Sequence, residues 1–269
     1  MVTLFCYAFR FANELGGKNL LYRIYLFFKN IFCVSYWKFI STKEFEFNLI
    51  YKSTNFTVYL DQTIDIHVLG EIFIDKEYSF NYGGSVQIIV DIGSNIGLSC
   101  VFFNILFPNA IIHAIEPNNK LRQKFNKNTS HIKNIVLHNL AINKSSGEAL
   151  LKLGENHLSS SLLVINHSNE SIVVKTETLE SFFRINNLDC VDILKFDIEG
   201  GESFILSNPF YKVHTKIIVG EIHKHILEKN NISLPQNSNG DDGWHFIKKV
   251  VLNNRVILFG SKKHRSDVK

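Results

Sequence analysis

Residues 90–97 have the sequence VDIGSNIG, and the interpretation of the whole chain starts from this stretch. It continues an apolar run at 86–91, which is typical of a strand buried on both faces of a parallel sheet. Gly93 and Gly97 let the backbone turn sharply and approach a ligand closely. The stretch therefore predicts a strand that ends in a cofactor-binding loop, and the alternative is an ordinary strand-to-helix turn.

The residues around this loop favour one class of ligand. The loop lacks the GxGxxG fingerprint of dinucleotide-binding proteins, and Asp91 stands where a pyrophosphate would be repelled. An acid at this place suits a ligand with an ammonium and a sulfonium group, as in S-adenosylmethionine. Glu116 ends the next predicted strand and can accept hydrogen bonds from ribose hydroxyls, a feature shared with NAD-binding proteins.

Strands alternate with helices along the rest of the chain. Further strands are predicted at 111–116, 135–141, 191–197 and 216–222, and helices at 96–107, 118–127 and 178–186. This alternation predicts an α/β fold with a Rossmann-like, mostly parallel, doubly wound sheet. The predicted organisation is an apolar, basic helical extension at 1–44, a small β extension at 45–82 and a main domain at 83–269.

Shorter segments add detail to this organisation. The runs FTVYL (56–60) and EIFID (71–75) predict small strands in the β extension, and runs at 149–153, 160–164 and 171–175 predict an antiparallel insertion. Residues 230–242 are rich in Asn, Ser and Gly, which predicts a loop. A helix at 244–250 and a strand at 255–259 follow without a clear final hairpin, and the sequence leaves open whether the main sheet has seven strands or fewer.

The segment 20–40, LLYRIYLFFKNIFCVSYWKFI, combines aromatic and aliphatic residues with Arg23, Lys29 and Lys38. A helix here has a wide apolar face and a narrow basic stripe. Two interpretations stay open: an interfacial helix on an anionic membrane, or a helix packed on the catalytic domain or on a partner subunit. No apolar run reaches the roughly 20 residues that span a bilayer, and no signal peptide is recognised.

Composition limits the classes of partner and compartment. The formal net charge of +4 is weak support for a polyanionic partner, and a nucleic-acid partner is not expected. The four cysteines form no CxxC pair and no zinc spacing, which is consistent with a reducing compartment. The expected location is the cytoplasm, with peripheral contact at the inner face of the membrane if residues 20–40 bind lipid. Nothing in the sequence indicates the oligomeric state.

An acidic cluster follows the fourth predicted strand, in LKFDIEGGESFIL at 194–206. Asp197 and Glu199 straddle the strand end, and carboxylates this close influence each other's protonation. One of them can therefore serve as a base near neutral pH. Glu202 follows two glycines, where a helix dipole favours an acidic residue.

A second cluster, GEIHKHI at 220–226, follows the fifth strand. Glu221, His223 and His225 are candidates for a base, a substrate clamp or part of a metal site, since two carboxylates with a histidine can hold a divalent metal. A divalent metal is compatible with this set, but nothing in the spacing fixes a ligand geometry. No metal site is therefore predicted.

Several motifs in this order resemble those of the FkbM family of S-adenosylmethionine-dependent methyltransferases: VDIGSNIGLS, AIEPNN, LAINKSSGEALL, VKTETLESF, DILKFDIEGGE and GEIH. The resemblance covers about residues 86–225. It implies a class I methyltransferase fold with a seven-stranded Rossmann-like sheet. It also implies methylation of hydroxyl oxygens of sugars or polyketide-type products. Ser94 stands where many members have alanine, and the tail after His225 is hard to match.

The resemblance also implies site residues. Those implied for the cofactor are Asp91, Gly93, Asn95, Gly97, Glu116, Ala141 and Asp197. Among them, Glu116 is the ribose ligand, Ala141 lies at the third strand end beside the adenine, and Asp197 lies near both the methionine end and the acceptor. Further matched positions are Glu199, Glu202, Glu221 and His223.

The predicted activity is O-methyl transfer to a hydroxyl of a sugar or glycoconjugate. Asp197 is the first candidate for the base, followed by His223, with Glu199 beside them; Glu202, Glu221 and His223 are expected to bind the acceptor. The acceptor is expected to contact 149–175, 230–242 and the N-terminal extension. Two alternatives stay open: an N- or O-methyltransferase of a peptide or secondary metabolite, and a non-enzymatic glycan-assembly scaffold docked through 20–40.

Overall fold

The computed structural model describes residues 2–40, 43–80, 84–154, 170–198, 201–223, 244–250 and 255–262. The chain divides into two compact units. The first comprises Met1–Asn81, Ile96–Pro108 and Gln123–Lys133, and the second comprises Tyr82–Asn95, Asn109–Arg122 and Asn134–Lys269. The domain boundaries predicted at 44/45 and 82/83 stay a prediction.

The elements follow one another in an alternating order. The helices are α1 (Val2–Leu15), α2 (Leu20–Phe39), α3 (Thr63–Phe73), α4 (Leu98–Leu106), α5 (Asn119–Thr129), α6 (Leu179–Ile185), α7 (Glu202–Leu206) and α8 (Phe210–His214). The strands are β1 (Phe45–Tyr51), β2 (Thr54–Leu60), β3 (Ile88–Ile92), β4 (Ile111–Ile115), β5 (Ile135–His138), β6 (Ala141–Ile142), β7 (Gly147–Lys152), β8 (Ser171–Glu177), β9 (Val191–Phe196), β10 (Thr215–His223), β11 (Trp244–Val250) and β12 (Arg255–Lys262).

The central sheet of the second unit has seven strands in the order β11-β12-β10-β9-β3-β4-β5. Strands β3, β4, β5, β9 and β10 pair in parallel, and β12 lies antiparallel between β10 and β11. The strand order reverses between β3 and β9, which is the point where doubly wound sheets bind ligands. The Rossmann-like class I fold is confirmed, and the number of strands in the described part of the main sheet, which the sequence left open, is seven.

The helix predicted at 244–250 is also wrong, because this segment is strand β11. Trp244 and Phe246 are buried two positions apart, and their rings stack with centroids 5.7 Å apart. Side chains two apart share a face only in a strand. Pairing with β12 along its whole length fixes this conformation, and the strand predicted at 255–259 is confirmed as part of β12.

In the first unit, β1 and β2 form an antiparallel hairpin. Lys52 and Ser53 connect them with φ values of 45° and 66°, the positive pair that a two-residue hairpin turn matched to the strand twist requires. The strand predicted at 56–60 is confirmed. Phe73 packs beyond the hairpin against Tyr51, Phe56 and Phe102, with ring centroids 4.9 to 5.4 Å away.

The strand predicted at 71–75 is wrong, because residues 71–73 end helix α3. The helix begins where the Asp65 carboxylate accepts a hydrogen bond from the Gln62 backbone N–H at 3.2 Å. Ile66, Leu69 and Ile72 are buried at a spacing of three, which is the pattern of a helix face. The helical spacing of these buried residues therefore determines the conformation of the segment, although the short run at 71–75 has an alternating pattern.

A three-stranded sheet with the order β6-β8-β7 follows β5. Strands β7 and β8 are antiparallel, as predicted for the insertion, while the segment 160–164 lies outside the described residues. The strand predicted at 135–141 is two elements, since β5 ends at His138 and Ala141 begins β6. Ala141 thus lies in the small sheet, packed with Leu151 and Val174, and not at the end of the third strand of the central sheet.

The predicted N-terminal helical extension comprises α1 and α2. Asn19 caps α2 by accepting a hydrogen bond from the Tyr22 N–H at 3.1 Å. None of the helices in the described ranges combines the length and the apolar character that crossing a bilayer requires.

Two histidines of adjoining strands form a pair inside the second unit. His113 Nδ1 lies 3.0 Å from His138 Nε2, and the rings stack with an interplanar angle of 12° beneath the edge of Phe182. Burial lowers the pKa of His138 to about 4, and the neighbouring His113 adds to this. Burial also lowers the pKa of His113. The pair is therefore neutral at physiological pH.

We expect the free energy of unfolding to fall as the pH is lowered from about 6.5 towards 4. In that window the unfolded chain binds a proton at His138 that the folded chain does not take up. His138→Phe keeps an aromatic ring without the proton site and should weaken this dependence. Urea unfolding of both proteins at about pH 7 and about pH 5 measures the difference; an equal loss in both would contradict the assignment.

Candidate active site

The carboxyl ends of five parallel strands meet at one edge of the central sheet. Ile92, Ile115, His138, Phe196 and Gly220 are register partners across neighbouring strands. The residues that follow them in the chain are Gly93, Glu116, Asn139, Asp197 and Glu221. The structure thus brings the predicted Glu116, Asp197 and Glu221 to the same edge, where open parallel sheets bind ligands.

The backbone hydrogen bonds of the sheet continue one residue beyond β3 and β9, and they fix the positions of the residues that follow these strands. The Gly93 N–H donates to the Ile115 carbonyl at 3.0 Å, and the Asp197 N–H donates to the Ile92 carbonyl at 3.0 Å. The positions of the loop and of Asp197 therefore follow from the register of the sheet. Asp197 itself is half-buried.

Gly93 is required by the conformation of the loop. Its φ is +78°, and a Cβ atom there would lie 1.9 Å from the Asp197 carbonyl oxygen. A side chain would therefore force the loop away from the end of β9. Asn95 also has a positive φ, 49°. Gly97, in the first unit, precedes α4 with φ +87° and leaves no room for a Cβ beside Thr129 and Phe125.

Polar groups of the glycine loop are held in defined positions. The Glu116 carboxylate accepts hydrogen bonds from the backbone N–H of Asn95 at 3.0 Å and of Asn118 at 2.8 Å. Ser94 Oγ and Asn95 Oδ1 are buried and have no hydrogen-bond partner among the described residues. Buried polar atoms are normally satisfied, so these two are left for ordered water or a polar ligand.

Lys195 is a site residue that sequence reasoning missed. It lies in β9 directly opposite Asp91 of β3, and its Nζ is 3.0 Å from Asp91 Oδ1. The same Nζ donates to the Gly93 carbonyl oxygen at 2.8 Å. Its side chain is only 2% exposed, and that of Asp91 is fully buried. The one signal in the sequence is a lysine within the apolar run DILKF.

The ion pair with Lys195 changes the role that can be assigned to Asp91. The sequence suggested that its negative charge selects a cationic ligand, but the carboxylate already faces the Lys195 ammonium. Asp91 therefore shapes the loop through Lys195 and the Gly93 carbonyl. Its assignment as a cofactor ligand stays a prediction.

His223 lies between two of the predicted acids. Its Nδ1 is 2.8 Å from Glu202 Oε1, and its Nε2 is 3.3 Å from Glu221 Oε1. Glu202 begins α7 and is completely buried, and Glu221 and His223 are buried at the end of β10. An imidazole that faces two ionised carboxylates donates from both nitrogens only in its protonated form. His223 thus links the two carboxylates into one array of close polar contacts.

The remaining predicted site residues either lie in the small sheet or are outside the described residues. Ala141 lies in the small sheet, as described above, and its assignment to the adenine stays a prediction. Glu199, His225 and the predicted loop at 230–242 lie outside the described residues. Within the described ranges, no group of three or more His, Cys, Asp or Glu residues is arranged to hold a metal ion.

Comparison with protein families identifies the domain. The family described as "Methyltransferase FkbM domain" matches residues 91–250, which is more than half of the chain. The match covers the glycine loop, Glu116, Lys195, Asp197 and the Glu202–His223–Glu221 cluster.

Individual relatives are more distant. "Methyltransferase 1" of the fungus Beauveria bassiana is 24% identical over 180 residues, which covers 56% of this chain and 71% of that protein. The solved structure of the methyltransferase FkbM from Methylobacillus flagellatus is 12% identical with a TM-score of 0.44, covering 96% of this chain and 58% of that one. A precorrin-6y C5,15-methyltransferase from Geobacter metallireducens is 14% identical with a TM-score of 0.41, covering 72% and 88%.

We expect Lys195→Met to lower the free energy of unfolding by about 3–5 kcal/mol, because it leaves the Asp91 carboxylate buried without its counter-charge. Lys120→Met is the matched control, since it removes an ion pair with Glu170 in which both side chains are exposed. That control should change stability by less than about 1 kcal/mol.

Chemical denaturation measures both variants, Asp91→Asn alone, and Lys195→Met combined with Asp91→Asn. Removing the charge of Asp91 should recover part of the loss. A double variant as unstable as the sum of the two single variants would show that the pair is not coupled.

Proposed function

The chain belongs to the FkbM family of methyltransferases, and on this premise we propose that it transfers a methyl group from S-adenosylmethionine to a hydroxyl oxygen of a sugar or glycoconjugate. The observation that carries the proposal is the acidic edge of the sheet. There Asp197 follows β9, and the Glu202–His223–Glu221 array lies beside the end of β10.

The residues at the glycine loop fit the cofactor. Glu116 is held beside the loop by two backbone N–H groups, and a carboxylate at this place accepts hydrogen bonds from ribose hydroxyls. The buried Ser94 Oγ and Asn95 Oδ1 lack partners among the described residues. Gly93 allows the backbone to approach a ligand closely. When bound, S-adenosylmethionine supplies an electrophilic methyl group on a sulfonium sulfur.

The acceptor side suits a hydroxyl-rich molecule. Sugar hydroxyls donate hydrogen bonds, and ionised carboxylates are acceptors only. The completely buried Glu202 holds His223 in place, and His223 orients Glu221, whose side chain is 7% exposed. Glu221 oriented in this way can position one hydroxyl of the acceptor, and positioning supplies a large part of the rate of a displacement reaction.

Asp197 is the proposed general base. A sugar hydroxyl is a weak nucleophile and must lose its proton as its oxygen bonds to the methyl carbon. The Asp197 carboxylate takes that proton. His223 is less suited to this role because both of its nitrogens face carboxylate oxygens. It therefore acts as a positioning residue.

The cofactor assignment is tested by calorimetric titration with S-adenosylmethionine and with NAD. S-adenosylmethionine should bind, and Glu116→Gln should weaken its binding by about tenfold because a charged hydrogen-bond acceptor is lost. Glu170→Gln, at an exposed position, is the matched control. Binding of NAD without binding of S-adenosylmethionine would overturn the cofactor assignment.

The base is tested by Asp197→Ala and Asp197→Asn. Both variants should lower kcat by about 10²–10⁴-fold, the usual contribution of a general base. Affinity for S-adenosylmethionine should change by less than about tenfold, since the Glu116 contacts are retained. Transfer is followed as radiolabelled methyl incorporation into a panel of sugars, glycoconjugates and peptides.

Two outcomes would contradict the proposal in different ways. An Asp197→Ala enzyme with normal kcat would exclude Asp197 as the base but leave the acceptor class intact. Incorporation into peptides with none into carbohydrates would overturn the acceptor class, whichever residue is the base.

A further inference from the structure

Helix α2 is apolar on two opposite sides. Leu26, Asn30 and Cys33 are completely buried on one side. On the other side a set of large apolar residues is exposed: Leu20, Leu21, Ile24, Tyr25, Phe28, Phe32 and Phe39. At about 100° per residue they fall within a sector of roughly 140° opposite the buried residues. The exposed side of a surface helix is normally polar.

Helix α1 extends this exposed surface. Phe5 and Phe9, one helical turn apart, are 45% and 62% exposed. The ring of Phe5 lies 5.9 Å from that of Phe27, which in turn lies 5.2 Å from that of Phe28. The exposed side chains of α1 and α2 therefore form one surface, which we call the apolar face. Contiguous exposed apolar surfaces of this kind mark sites of protein or membrane interaction.

Basic residues accompany the apolar face. Residues 1–43 contain six lysines and arginines and one acid, Glu14, and α2 itself contains no acid. By helical geometry Lys38 lies at one border of the exposed sector and Lys29 beyond the other, where its Nζ donates to the Glu46 carbonyl oxygen. Lys38 and Lys18 are exposed. Long lysine side chains at such places keep their charge in the headgroup layer while their stems contact apolar surface.

The positive charge around the apolar face favours one kind of binding partner over another. A second copy docked through the same face would bring two sets of basic residues together, and like charges disfavour such an association. An anionic lipid surface supplies the opposite charge together with an apolar layer for the aromatic side chains. We propose that α1 and α2 dock the protein on an anionic lipid surface, with α2 lying in the plane of the interface.

The test is co-sedimentation of the full chain with vesicles of phosphatidylcholine alone and of phosphatidylcholine mixed with phosphatidylglycerol. The protein should bind the mixed vesicles more tightly, and added salt should weaken that binding. Phe9→Gln with Phe28→Gln and Phe32→Gln should lower binding by at least about tenfold, because it removes apolar area from the interface. Lys18→Gln with Lys38→Gln should lower binding to the mixed vesicles by about fivefold for each lysine and leave binding to phosphatidylcholine unchanged.

A matched control comes from exposed apolar residues of the second unit. Val173→Gln with Ile185→Gln and Val213→Gln replaces residues of similar exposure, and this variant should bind as the unaltered protein does. Circular dichroism and the midpoint of thermal unfolding establish that each variant is folded, which the exposure of all the altered side chains favours.

Three results would overturn the proposal. The first is no binding of the unaltered protein to mixed vesicles. The second is equal binding by the phenylalanine variant and the control variant. The third is an oligomer, seen by sedimentation velocity, that the phenylalanine variant converts to a monomer while vesicle binding stays absent; the face would then join copies of the chain.

Discussion

The ion pair between Lys195 and Asp91 is the interaction on which the arrangement of the active edge depends. It joins the two central strands of the sheet, β9 and β3, at directly opposed positions. Either charge alone would be costly to bury, so each residue requires the other. The Lys195 ammonium also binds the Gly93 carbonyl, and Gly93 lies against the backbone of Asp197 with no room for a Cβ. This one buried ion pair thus holds β3, β9 and the glycine loop in fixed positions relative to one another.

Much of this edge follows from the sequence because it depends on regular structure. The five parallel strands are rich in apolar residues, as expected in a parallel sheet. Glu116 and Asp197 directly follow two of these strands, Glu221 lies near the end of a third, and parallel strands bring their carboxyl ends together. Lys195 could not be found in this way, since its role depends on its register with Asp91, which is distant in the sequence. A lysine in a strand carries no periodic signal of its own.

The wrong predictions share a physical cause. Residues 71–75 and 244–250 are short segments whose apolar pattern fits either a helix or a strand. Residues 71–73 are helical because of the cap at Asp65 and the burial of Ile66 and Leu69. Residues 244–250 form a strand because they pair with β12, a contact outside the segment itself. Helix α2 poses a related problem. Its sequence is apolar on both sides, and the packed structure reveals which side is buried.

The charges at the strand ends bear on the acceptor. Lys195 is already balanced by Asp91, and His223 lies between the carboxylates of Glu202 and Glu221. Asp197 and Glu116 add further carboxylates to this edge. Among these described side chains the sum is negative, so a phosphate group on the acceptor would be repelled. A neutral hydroxyl-rich acceptor would instead donate hydrogen bonds to the carboxylates, and it would place its hydroxyl beside a base without a competing anion. For the acceptor proposed above, the described side chains of this edge therefore favour a neutral hydroxyl-rich molecule over a phosphorylated one.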